Sequence, residues 1–132
     1  MVDPSAQVEA QNPEAAAEIR QFVTEHVAHA NSKDIDVYLN DFFMERQRRP
    51  DLLREYSERA MALKDLSIEL RAIEFVQIQQ NAATLHTRQI STYINNKNEH
   101  VVDDVVLSYR LLRDQAGAWK ILLTERRRLT AQ

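Results

Sequence analysis

Three side chains of this 132-residue sequence have the types and settings from which acid–base chemistry is built: His26, Asp103 and Glu125. His26 lies in FVTEHVAHA, in helical phase with Ile19, Phe22, Val23, Val27 and Ala30, so its imidazole belongs to an apolar helix face. An imidazole there can donate a hydrogen bond or exchange a proton near neutral pH; it can equally be a core histidine bonded to a backbone carbonyl. Asp103 and Glu125 fall in segments of period-two polarity. The more apolar face of 100–114 carries Val101, Asp103, Val105, Leu107, Tyr109 and Leu111, and that of 118–129 carries Trp119, Ile121, Leu123 and Glu125. Two carboxylates on such faces can share acid and base duties. The competing reading is salt bridging, for which Arg71, Arg88, Arg110 and the run Arg126-Arg127-Arg128 supply partners.

Other chemistries lack their residues. The pair His26 and His29 in EHVAH is three residues apart with Glu25 outside it, whereas a zinc helix needs His-Glu-x-x-His, so that both imidazoles meet one ion. His86 and His100 stand alone, and no metal site is expected. There is no cysteine, so disulfides, thiolate ligands and a thiol nucleophile are excluded, and no serine sits in a glycine-flanked elbow. Gly117 is the sole glycine, which removes the phosphate-cradling loops of nucleotide sites; no cofactor is expected. The net charge of -3 gives no general attraction to nucleic acid. The basic clusters at 46–49 and 126–128 lack an aromatic stacking platform, so no nucleic-acid partner is expected. No apolar run approaches the roughly 20 residues of a membrane span, and the polar start MVDPSAQVEAQNPEA has no secretory core. A complete chain would therefore stay in the cytoplasm, and one from which a signal or anchor was removed would act in the periplasm.

The elements that must position these residues follow from pattern. Residues 1–12 read as a flexible lead-in and 13–130 as a single domain. Asn12-Pro13-Glu14 reads as a helix start with Asn as cap. The polar corner Asn31-Ser32-Lys33-Asp34 ends that helix, and Ser32 or Asp34 caps a short second one with Ile35, Tyr38, Leu39, Phe42 and Phe43. A third helix from Pro50 buries Leu52, Leu53, Tyr56, Ala60 and Leu63. After Lys64 the period turns to two, predicting strands at about 66–79, 83–95, 100–114 and 118–129, with turns at Asn95–Asn98 and Asp114–Gly117. Helices first and a strand meander afterwards predict an α+β domain: three N-terminal helices packed on one face of a curved four-stranded antiparallel sheet.

This order, with IRQFVTEHVAHANSKDIDVYLNDFF, a third helix, four long strands and a terminal GAWKILLTERRRL, resembles the nuclear transport factor 2-like superfamily over residues 14–129. That superfamily includes ketosteroid isomerases, SnoaL-like cyclases and many non-enzymatic domains. SKDIDVYLNDFF with the late WKILLTE also resembles its non-catalytic domains beside some bacterial cell-wall enzymes. The resemblance implies a cone that can hold a small apolar ligand, lined here by Phe22, His26, Tyr38, Phe42, Tyr56, Tyr109 and Trp119, with Asp103 and Glu125 pointing in. It also implies a homodimer through the outer sheet face, for which Ile73, Phe75, Ile90, Val106 and Leu112 are the apolar candidates. Isomerase-like members place a Tyr eight residues before the corner Asp; counting back from Asp34 reaches His26. Their general base would fall near Pro50 and Asp51, where this chain reads RQRRPD, too polar to raise a carboxyl pKa. That departure favours a non-catalytic binding or scaffold domain that dimerises and recognises a protein or small apolar ligand. The alternative is a small SnoaL-like isomerase, cyclase or hydrolase using acid–base chemistry in the cone.

Overall fold

Past Lys64, alternation of branched and polar residues builds four strands whose ends lie within two residues of expectation: β1 Lys64–Ile78, β2 Ala82–Ile94, β3 His100–Arg113 and β4 Trp119–Arg128. This is a computed structural model, and it describes residues 3–129. The strands pair antiparallel in sequence order as one sheet. Asn98 and Gly117 take the left-handed conformation that closes two of the hairpins, φ 63° and 85°.

Four α-helices precede the sheet: α1 Pro4–Gln11, α2 Pro13–Ser32, α3 Ile35–Leu39 and α4 Pro50–Met61, with a 3-10 turn at Met44–Arg46. The expected lead-in is thus a helix from Pro4, capped by Asp3, whose carboxylate accepts from the Ser5 N–H; Met1 and Val2 lie outside the described residues. Arg20 and Glu9 tie α1 to α2 through a two-pronged ion pair with both bonds at 2.7 Å. Asn12 does not cap α2 with its side chain; its amide donates instead to the Val8 carbonyl, finishing α1. The corner behaves as read: Lys33 takes φ 64°, and Asp34 caps α3 by accepting from the Val37 N–H.

The buried face of α2 is Ala16, Ile19, Val23, His26, Val27 and Ala30, at helical spacing. It lies on an inner sheet face of Phe75, Ala83, Leu85, Tyr109, Leu111, Trp119 and Ile121. Ile19 and Val23 are essentially fully buried, and each contributes roughly 1.5–3 kcal/mol. No helix among the described residues is long and apolar enough to cross a membrane.

Three expectations fail because strands and helices are not ideal. Tyr56 is 59% exposed on α4, whose inward contact is Leu53, so it lines no interior. Ile73 and Phe75 face the core, opposite Thr87 and Leu85, because a bulge between Leu70 and Ala72 resets the alternation of β1. Glu125 is displaced in the same way on β4. An irregularity at Leu122 puts Leu123 opposite Arg110 and Glu125 opposite Ser108, on the outer face, while Arg126 and Arg128 turn inward.

Candidate functional site

The aromatic and polar side chains inside the cone converge on His26. Its ring is stacked against Tyr38, with centroids 4.7 Å apart, and meets Phe42 and Tyr109 edge-on at 5.5 and 5.9 Å. Phe22, one turn earlier on α2, lies parallel at 6.3 Å. Helical spacing brings Phe22 and His26 to one face, α3 and its exit supply Tyr38 and Phe42, and β3 supplies Tyr109. Trp119 is buried elsewhere, beneath the guanidinium of Arg113 at 4.1 Å, with its indole N–H donating to Glu18.

The partner of His26 is Asp41, a residue that sequence reasoning passed over. His26 Nδ1 lies 2.7 Å from Asp41 Oδ2, and His29 Nδ1 lies 2.8 Å from the same oxygen. A carboxylate only accepts, so both imidazoles donate. The three-residue spacing that rules out a zinc helix thus serves a shared carboxylate. Burial alone would raise the Asp41 carboxyl, but the hydrogen bonds from His26 and His29 outweigh it and hold the group below its ordinary value. The backbone of Asp41 is engaged too: its carbonyl accepts from the Ile121 N–H at 2.8 Å, fastening the loop after α3 to β4. An Asp between Leu39-Asn40 and Phe42-Phe43 was the available signal, since an acid in an apolar run needs a buried partner.

Deeper in the sheet, Tyr109 and Gln89 form a second polar group. Gln89 Nε2 donates to Tyr109 Oη at 3.0 Å and to Thr87 Oγ1 at 2.9 Å, and Thr87 donates to the Leu107 carbonyl. Burial pushes the Tyr109 phenol up to about 12 and raises that of Tyr38 further, so both remain neutral phenols.

Asp103 is 5% exposed on the inner face, near the rim. Arg128 is bonded to its Oδ1, Arg126 Nη2 stands 3.5 Å from Oδ2, and the Tyr93 hydroxyl donates at 3.3 Å. Glu125 is exposed outside, so the two carboxylates do not meet in one site. Five recesses among the described residues, of about 140 to 770 Å³, lie at the surface; one of about 320 Å³ has Asp41 and Phe22 in its lining, and none of the five has His26. The described residues also contain no group of three acidic or histidine side chains set to hold a metal ion. The arrangement around Asp41 can orient imidazoles; of its members His26 is packed among aromatic rings, whereas the His29 side chain is a third exposed.

The fold recurs in solved structures. A candidate scytalone dehydratase from Novosphingobium aromaticivorans is similar with a TM-score of 0.78 at 12% identity, over 90% of this chain and 87% of that one. A ketosteroid isomerase-like protein from Erwinia carotovora atroseptica gives 0.71 at 16%, over 87% and 96%. A nuclear transport factor 2-like protein with a cystatin-like fold, again from N. aromaticivorans, gives 0.70 at 13%, over 96% and 90%. Identities this low carry the fold alone. No curated protein matches the chain. Residues 21–131 match the family described as anti-sigma-I factor RsgI9, C-terminal domain. On a nuclear transport factor 2-like fold, the chain therefore belongs to the family of RsgI9 anti-sigma-I factor C-terminal domains.

Proposed function

We propose that this chain is a non-catalytic recognition domain that works by binding a protein and dimerises through the outer face of its sheet. The observation that carries the reading is the filled surround of His26: Tyr38, Phe42 and Tyr109 crowd the imidazole, and Asp41 holds its Nδ1. A general acid or base must reach a substrate proton within hydrogen-bond distance. A family named for part of an anti-sigma factor supports a protein partner over a small substrate. For the dimer, Val102 and Leu123 are 51% and 46% exposed on the outer face, with Val106, Ile90 and Leu112 half-buried beside them.

The enzyme alternative draws on one observation, the His26–Asp41 dyad, which has the form of an oriented base. His26→Gln separates the two. A recognition domain loses folding stability and nothing else, whereas an enzyme loses turnover of an apolar ketone at unchanged fold. NMR titration with such a ketone is expected to leave the ring signals of His26, Tyr38 and Tyr109 in place; saturable shifts there, with turnover, would overturn the reading. For the dimer, Val102→Glu is expected to convert the sedimenting species to a single chain.

A further inference from the structure

The outer strand of a sheet presents a row of unpaired backbone N–H and C=O groups, which invites another strand unless something closes it. Along β1 the row is capped at three places. The Asn31 carboxamide pairs with Ile68 as a neighbouring backbone would, its oxygen accepting from the Ile68 N–H and its nitrogen donating to the Ile68 carbonyl, both at 2.8 Å. Lys33 Nζ donates to the Leu66 carbonyl at 2.5 Å, and Ser5 Oγ accepts from the Phe75 N–H at 2.8 Å.

Along β4 the closure stops halfway. Ile121 exchanges bonds with the backbones of Asp41 and Phe43, and Gln47 Nε2 donates to the Leu122 carbonyl at 3.1 Å. Beyond that point the Leu129 N–H donates to the Asp104 carbonyl on β3, which sets the phase. Leu123, Glu125 and Arg127 turn their backbone groups to β3, while Thr124, Arg126 and Arg128 turn theirs to the free side. Among the described residues those three make no backbone hydrogen bond on that side.

We propose that the open border of β4, residues 123–128, takes up an extended acidic segment of a protein partner as a fifth strand. The charge argues for an acidic one. Arg126 and Arg128 share the single carboxylate of Asp103, and Arg127, on the outer face, stands in no ion pair among the described residues. Full antiparallel overlap of two β4 strands would set Arg126 against its own counterpart but Glu125 against Arg127 twice, so self-pairing is separated by the concentration dependence tested below and not by charge. The border lies to the side of the outer face, so a dimer through that face leaves it free. The inference rests on the recognition-domain reading and names the chemistry of its partner.

The test uses the full chain, 15N-labelled, with a capped hexapeptide alternating Glu and Val as probe and its Lys-for-Glu counterpart as control. The expected result is that the Glu peptide slows hydrogen exchange at the Thr124, Arg126 and Arg128 amides by at least about tenfold, while the Lys peptide does not. Arg126→Pro removes the central free N–H without touching the ladder to β3 and abolishes the effect. Arg127→Glu weakens it about tenfold, and decides alone if the proline variant does not fold. No slowing at ~1 mM Glu peptide, an equal response to both peptides, or protection that grows with protein concentration in the absence of peptide overturns the proposal. The last outcome points to self-pairing. Failure here with no ketone turnover sinks the edge site alone, whereas turnover that His26→Gln abolishes sinks the recognition-domain reading.

Discussion

Asp41 and Asp103 are both withdrawn from water, at 7% and 5% exposure, and each sits between two nitrogen bases. Their surroundings differ. Asp41 meets imidazoles, one buried among aromatic rings and one a third exposed. Asp103 meets guanidiniums whose side chains are 53% and 44% exposed at the rim. An arginine offers a planar fork of donors that is always charged, whereas an imidazole offers at most one N–H from each ring nitrogen. Asp41 is therefore held by single directed N–H groups and Asp103 by forked permanent charges. Low exposure of a carboxylate says only that partners exist; their geometry and burial say how much the structure depends on them.

The comparison breaks or sharpens under substitution. Removing Asp41 leaves two imidazole N–H groups without their acceptor, one of them buried, so Asp41→Ala is expected to cost about 3 kcal/mol in urea unfolding. The folded Asp41 carboxyl lies below its ordinary value of 3.8, so its contribution is present above that pH and is lost as pH falls through the folded value. Asp41→Asn is expected to flatten that acid limb of the stability curve. Tyr109→Phe leaves Gln89 with only Thr87 for its amide protons and is expected to cost about 1.5 kcal/mol. Asp103→Asn is expected to cost about 1 kcal/mol, because half-exposed guanidiniums return to water. A larger loss at Asp103 than at Asp41 would invert the ranking and put the structural centre at the rim. Tyr56→Ala, on the outside of α4, is expected to stay within about 0.5 kcal/mol.

Much of this was readable in the residue order. The spacing of Ile19, Val23, His26 and Val27 gave the buried face of α2, and Asn95–Asn98 and Asp114–Gly117 gave two turns, because both signals are local. Of the residues expected to line the cone with His26, the structure sets Phe22, Tyr38, Phe42 and Tyr109 around its ring, Trp119 elsewhere and Tyr56 outside. Asp41 escaped notice because its partners are twelve and fifteen residues away, and no local rule pairs them. Glu125, Ile73 and Phe75 were assigned to the wrong face for one reason. A bulge adds a single residue, and every side chain beyond it changes sides. The helix at Pro4–Gln11 was taken for a lead-in because it buries little by itself and is held by Arg20 and by the edge of β1.

Composition and period alone determined the order of elements from Pro13 onward, the helical face bearing His26 and the lack of the glycines and cysteines that phosphate loops and thiolate sites require, since each depends on residue type and near neighbours. Tertiary structure decided which carboxylate met which base, which side of a bulged strand faced in, and which border of the sheet stayed open. Those outcomes are set by groups far apart in the chain that touch only after the sheet has curved onto its helices.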